Sequence, residues 1–458
     1  MTDEFHGDYS LVLSLRDQVV RRLAEREIPA GLLDEPEEVQ ARSVAQVVVA
    51  THGEQLLSSG KGLFPPEDQE AYVEAILAEM YGVGRLQMLL DNEQIESIDA
   101  NGCDQVWVTY ASGEKRSERP IADSDADLVR LIQMIAHRKG RAERQFDDAH
   151  PQLDQRLPDG SRLSAVMSVS HRPVLSIRRH RLTEPTLDDL VGLGMLPAPL
   201  AHLIYAAVRA QRNIMFSGPQ GAGKTTMLNA AAACIPPYER IVTVEQSFEL
   251  GIHEQTSAHP DAVGLEAREP NIEGEGAVSM RALVRRTKRM NANRVIVGEV
   301  LGDEVLDMLT AMLQGRSGSM CTIHSESAKG TLTQVGNYAI QSPERLSMEQ
   351  ALALAAQALD FVVYISLVDE TDADSPLELT DGSFKARRFR RLVSEVVEVV
   401  GYEDGQVRTN TIYAPHPVSG VPGFTASALT PQMTKRLARF GYDHALASTD
   451  DYEEEGVA

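Results

Sequence analysis

Apolar positions recur every three or four residues through "YSLVLSLRDQVVRRLAERE" and "PEDQEAYVEAILAEMYG", the spacing of one face of an amphipathic helix. Pro65-Pro66 precedes the second stretch, where a helix start tolerates proline because its first N–H groups have no intrahelical acceptor. Residues 1–80 are expected to form a helical N-terminal segment. The period then shortens to two. "DQVWVTY" alternates, and Asn101-Gly102 and Ser112-Gly113 punctuate the run, which predicts short strands joined by tight turns. "DADLVRLIQMIAHRKG" returns to helical spacing, and "LDQRLPDGSRLSAVM" reads as a hairpin around Pro158-Asp159-Gly160. Residues 81–180 are thus an expected α+β domain, and "RLTEPT" (181–186) an expected linker.

From Leu187 the texture alternates between helix and strand. "LAHLIYAAVRAQ", "KTTMLNAAAACI" and "GDEVLDMLTAML" read as helices, while "NIMFSG", "RIVTVE" and "RVIVGE" are short apolar strands. Such alternation predicts a parallel sheet covered on both faces, an α/β domain over 187–365. Residues 366–383, "LVDETDADSPLELTDGSF", are acidic and expected to be loop. "FKARRFRRLVSEVVEVVGYEDGQVR" predicts a strand hairpin closing near Asp404-Gly405, within a C-terminal extension over 366–449. "DDYEEEGVA" ends an acidic tail over 450–458, with the composition of disordered sequence.

Composition narrows the partners. The 458 residues exceed one typical core. A net charge of −23 argues against a general nucleic-acid binder, which needs basic surface to displace counterions. Cys103, Cys234 and Cys321 are too scattered for a disulfide framework, so a reducing cytosol is expected. The start "MTDEFHGDYS" is polar and acidic, so no signal peptide is expected. No run approaches the ~20 apolar residues that span a bilayer, so any membrane role is expected to be peripheral.

The candidate chemistry lies in "FSGPQGAGKTT", where Gly218 to Thr225 match G-x-x-x-x-G-K-[ST] between an apolar strand and a helix. In that context Gly218, Gln220, Gly221, Ala222, Gly223 and Thr226 would line a phosphate cradle at a helix N-terminus. Lys224 would reach the β- and γ-phosphates and Thr225 would bind Mg²⁺. Pro219 lacks an N–H, which is tolerable only if that position does not face the phosphates. Glu299 ends the strand "RVIVGE", where a water-activating carboxylate belongs, although a solvated strand end reads the same way. Glu245 and Glu249 in "TVEQSFEL" are candidates to order a Mg²⁺ water shell or to lie on a surface loop. His324 ends "SMCTIH" and, taken alone, is better explained by a core or surface position. His253, Glu254 and His259 in "HEQTSAH" do not have metalloprotease spacing. Basic clusters at 176–181, 281–294 and 384–391 supply candidate arginines for a neighbouring subunit's γ-phosphate, or merely wet faces.

Four of these segments occur in the order of a known family. The P-loop, "TVEQSFEL" with the sequence after it, "RVIVGEVLGDEVLDML" and "AMLQGRSGSMCTIHSES" resemble the P-loop, aspartate, Walker B and histidine boxes of the type II/type IV secretion ATPase superfamily. They are most similar to its CpaF-like, tight-adherence pilus branch. The resemblance spans roughly residues 81–403 and includes "LLDNEQIESIDANGCDQVWV" and "LDQRLPDGSRLSAV". It implies a RecA-like P-loop domain preceded by the α+β domain, with ATP and Mg²⁺ bound. Glu299 would be the catalytic base, Glu245 and Glu249 aspartate-box acids with Glu245 directed at the metal, and His324 the γ-phosphate sensor. Arg156, Arg162 and Arg178 would come from the domain that covers the nucleotide. Gln246, Leu301, Asn291, Asn293 and Arg316 depart from the family's usual residues, which implies safer binding than fast hydrolysis.

The resulting expectation is a cytoplasmic hexameric ATPase. Hydrolysis would rotate one domain against the other about 181–186 and drive an inner-membrane platform in pilus assembly or protein secretion, without a stable nucleic-acid partner. A nucleotide-gated scaffold that barely hydrolyses ATP and a DNA-translocating conjugation motor are the alternatives.

Overall fold

The computed structural model describes residues 8–25, 36–60, 64–137, 145–157, 160–179, 184–268, 270, 275–315, 317–371, 389–418, 420–425 and 427–443. Pro158-Asp159, Arg181 to Thr183 of the linker, Arg316, 372–383 of the acidic stretch and the 450–458 tail lie outside them. The described residues divide into two units, one up to Arg179 and one from Glu184 onward.

The first unit opens with helices α1 (Tyr9–Ala24), α2 (Glu37–Ser58) and α3 (Pro66–Met80). Asp8 caps α1 by accepting the Ser10 N–H, and Pro66 begins α3. Val12, Leu15, Val48, Tyr72 and Ile76 bury the shared apolar stripe. Next come α4 (Arg85–Asp91), β1 (Ile95–Asn101), β2 (Val106–Tyr110), β3 (Lys115–Glu118), α5 (Asp125–His137), β4 (Gln152–Arg156), β5 (Arg162–Val166) and β6 (Val174–Arg178). These strands make an antiparallel sheet in the order β3-β2-β1-β6-β5-β4. Leu128 and Ile132 of α5 join Ile98, Leu163 and Ile177 in one core. Register places Arg156 opposite Arg162, and Arg162 opposite Arg178.

The second unit contains α6 (Leu187–Gly192), α7 (Ala198–Arg209), β7 (Ile214–Gly218), α8 (Lys224–Ala232), β8 (Ile241–Glu245), β9 (Ala262–Glu266), α9 (Met280–Thr287), β10 (Arg294–Val300), α10 (Glu304–Leu313), β11 (Met320–His324), α11 (Ala328–Ile340), α12 (Met348–Ala358) and β12 (Phe361–Asp369). It closes with β13 (Phe389–Glu403), β14 (Gln406–Pro415), β15 (Pro422–Phe424) and α13 (Pro431–Ala438). Thr186, expected in the linker, caps α6 in a reciprocal pair with Asp189.

Among the described residues the sheet runs β15-β14-β13-β12-β7-β11-β10-β8-β9. Strands β12 to β9 are parallel. Buried on both faces, β7 sends Ile214 and Phe216 into one layer and Met215 into the other. The parallel half is the RecA-like core.

Two sequence expectations change here. Ser366 to Asp369 are strand and not loop, because each finds an antiparallel partner between Phe389 and Leu392. The 365/366 boundary therefore falls inside β12, and the hairpin expected as a C-terminal extension continues the same sheet. That hairpin turns at Asp404-Gly405, both at positive φ (51° and 76°), the mirror-image turn whose twist matches the flanking strands.

Candidate nucleotide site

Parallel strands raise their carboxyl ends on one edge of the sheet, where ligands bind in open α/β folds. At that edge β11 lies between β7 and β10, with His324 paired in register to Gly218. This order brings together three side chains that lie far apart in sequence.

The loop after β7 matches its motif in conformation. Gly218 has φ 153°, and a Cβ there would stand 2.3 Å from the Ile365 carbonyl of β12, so no side chain fits. Gly223 has φ 88° and caps α8. The Lys224 side chain is only 7% exposed. Its Nζ donates to the Pro219 carbonyl at 3.1 Å and to His324 Nδ1 at 3.0 Å, and lies 4.0 Å from Glu299 Oε1. Because Nδ1 accepts from an ammonium, the other ring nitrogen carries the proton. His324 Nε2 lies 2.9 Å from Glu299 Oε1. Thr225 and Thr226 follow, half-buried, in the first turn of α8.

Glu299 is half-exposed at a register shift between β10 and β11, where the Thr322 hydroxyl donates to the Gly298 carbonyl at 2.6 Å. Gly298 is the packing surface for Glu245, whose Cγ would lie 3.0 Å from a Cβ at that position. Glu245 is buried. Its Oε2 accepts the N–H groups of Glu249 (2.7 Å) and Leu250 (2.8 Å), and its Oε1 accepts the Thr243 hydroxyl (3.2 Å). Burial raises its pKa to about 7 against those hydrogen bonds. With both oxygens engaged, Glu245 clamps the turn after β8. Glu249 is half-buried on that turn.

A hydroxyl chain supports the histidine strand. Thr331 donates to Ser217 Oγ of β7 at 2.8 Å and lies 2.8 Å from Ser325 Oγ, next to His324. Neither this chain nor the clamp has a sequence signature, because serines and threonines are common and the contacts span many residues. Glu304 reaches back to accept the N–H groups of Leu301 and Gly302, fixing the exposed Leu301 after the Walker B strand.

Three residues of the basic cluster at 281–294 are committed elsewhere. Arg281 meets Asp303, Asp307 and Glu344, and Arg285 meets Asp307 and Glu344. Arg294 is fully buried against Glu239. A guanidinium sealed in the core cannot reach a neighbour's phosphate, so Arg294 is not such a finger. Arg156, Arg162 and Arg178 occupy one row across three strands of the first unit.

Thr225 suits Mg²⁺ that arrives with phosphates, since that ion retains waters and needs few protein ligands. Among the described residues no group of three or more His, Cys, Asp or Glu could hold a metal by itself.

The sequence profile described as "Type II/IV secretion system protein" matches residues 79–408. The chain belongs to that family. A Mycobacterium tuberculosis (strain H37Rv) protein provisionally named for conjugal transfer is 34% identical over 300 residues, covering 63% of this chain and 82% of the relative. The type IV secretion system protein PtlH of Bordetella pertussis is 30% identical over 302 residues, covering 60% and 86%. The VirB11 ATPase from the Brucella suis type IV secretion system, solved with sulphate, is 23% identical with a TM-score of 0.32, covering 68% of this chain and 95% of that one. Among the described residues no helix is long and apolar enough to cross a membrane.

Proposed function

We propose that the chain is an ATPase motor of the CpaF-like kind, a hexamer that couples ATP hydrolysis to domain motion at an inner-membrane platform during pilus assembly or protein secretion. The observation that carries the chemistry is the convergence of Lys224, His324 and Glu299 at one edge of the parallel sheet. Phosphates entering the loop would offer Lys224 stronger acceptors than Pro219 and His324, since they carry full negative charge. The Thr225 hydroxyl would hold Mg²⁺, which supplies charge neutralisation on the phosphate oxygens. Glu299, held by His324, would accept a proton from the attacking water. Arg156, Arg162 and Arg178 would complete the charge around the γ-phosphate, and 181–186 would act as the hinge. The protein would work in the cytoplasm, reaching the membrane only through its partner.

Steady-state phosphate release by the parent and by Lys224→Ala tests this reading. The parent should turn over, and the variant should not, with weaker ATP binding and an unchanged melting profile. Retained turnover in Lys224→Ala would remove the P-loop assignment.

Conjugal-transfer names among the relatives favour a second reading, a motor for DNA transfer. The net charge of −23 opposes it. Salt-dependent DNA binding by the assembled protein would decide for it.

A further inference from the structure

Arg391 lies in a cluster from which the sequence suggested arginines for a neighbouring subunit. The structure puts it against its own phosphate loop. Arg391 stands opposite Leu367 of β12 and two residues before Val393, a core residue of the layer that contains Phe216, Ala222 and Met195. The two-residue period of a strand therefore turns Arg391 toward the face that carries α8. From there its Nε donates to the Gly221 carbonyl at 2.8 Å. Its Cδ lies 3.6 Å from where a Gly223 Cβ would be, and Met195 Cε lies 3.3 Å from the same point.

That hydrogen bond acts on the orientation of a peptide. In a trans peptide the C=O and the following N–H point in opposite directions. Holding the Gly221 carbonyl on Arg391 therefore turns the Ala222 N–H to the side away from that arginine. The Ala222 N–H donates here to the Pro219 carbonyl at 3.3 Å, the same carbonyl that receives Lys224. The loop's amides are what a phosphate chain would meet, and an oriented donor loses less on binding than one that must first rotate.

We propose that Arg391 is a positioning residue for the nucleoside di- and triphosphate site of its own subunit, acting through the Gly221–Ala222 peptide. The inference rests on the nucleotide reading above. It makes the C-terminal hairpin part of the nucleotide site. Because the oriented amide serves the diphosphate common to ATP and ADP, the effect is one of uniform binding, which changes KM and not kcat.

The test is titration of full-length protein with fluorescent ADP and ATP analogues, alongside kcat and KM for ATP. Arg391→Ala should lose about tenfold in affinity for both nucleotides, as expected for one charge-assisted hydrogen bond. Its KM should rise similarly and its kcat should change little. Arg391→Lys retains a cationic donor and should recover most of the affinity. Arg390→Ala removes the neighbouring side chain, which pairs with Glu370 at 2.7 Å, and should bind like the parent. Melting without nucleotide separates loss of fold from loss of site. If Arg391→Ala does not fold, Arg391→Lys and Arg390→Ala carry the comparison: affinity lost equally in both overturns the proposal as a strand-edge effect. Parental affinity in Arg391→Ala overturns it. Loss of ATP binding alone, or a fall in kcat at constant KM, overturns it in favour of a γ-phosphate contact. A parent that binds neither nucleotide removes the P-loop reading itself.

Discussion

His324 Nε2 lies 2.9 Å from Glu299 Oε1, and Lys224 donates to the opposite ring nitrogen of the same histidine. Glu299, the proposed base, thus sits beside a side chain from the neighbouring strand. Glu299→Gln should retain ATP and stop hydrolysis, with a loss of about 10²–10⁴ in rate, because an amide cannot accept the proton of the attacking water. Groups that act as a unit lose activity non-additively. Adding His324→Ala to Glu299→Gln should therefore cost little beyond the first change. Single-turnover hydrolysis measures this, and multiplicative losses would show that the two act independently.

The arginine row yields a second expectation. Register sets Arg156, Arg162 and Arg178 side by side in one row, a row that presents several guanidinium groups to an anion. At least one single alanine variant should lose turnover by about a thousandfold or more, the scale of an arginine that stabilises phosphoryl transfer. ATP affinity should fall much less. Kinetics unchanged in all three variants would exclude the row from the reaction.

Glu245 predicts a pH effect on stability. Burial raises its pKa from 4.5 to about 7 in the folded protein, so between those values the folded state binds more protons than the unfolded state. Stability from this group is full below about pH 4.5 and is lost as pH rises through about 7. Glu245→Gln removes that dependence while its amide oxygen still accepts from the turn. The melting temperature of Glu245→Gln relative to the parent should therefore climb between pH 5 and pH 8. The free-energy change should be on the order of 2 kcal/mol. A difference that stays flat across that range would mean the carboxylate titrates normally.

Departures from the family's usual residues should slow the enzyme to about 1 s⁻¹ or below. The structure explains two of them locally. Asn291 has φ 53°, a left-handed conformation that asparagine tolerates, and Asn293 Oδ1 accepts the Arg240 N–H at 2.8 Å. Gln246 and Leu301 are exposed, and they follow adjacent strands β8 and β10. Gln246→Asp with Leu301→Arg should accelerate phosphate release about tenfold, the equivalent of ~1.4 kcal/mol of restored electrostatic stabilisation. A parent that is already brisk, or a double variant no faster, would show that these positions do not limit the rate.

What the sequence determined by itself was whatever depends on neighbours along the chain. The P-loop is legible because its glycines, lysine and threonine act within one turn. The amphipathic helices and the Asp404-Gly405 hairpin are legible because their periods and turn chemistry are local. The site was legible as a set of candidates, Lys224, Glu299 and His324 among them, but not as an arrangement. Only the tertiary structure decided that β11 separates β7 from β10 and so joins those three side chains. It also decided that Glu245 clamps a turn, that Arg294 is sealed in the core, that three arginines share a row and that Arg391 reaches its own phosphate loop. Strand order and register come from pairing between distant segments, where many sequences are equally compatible with a given neighbour. Local spacing says which face a side chain occupies; which partner meets that face is chosen by the packing of the whole sheet.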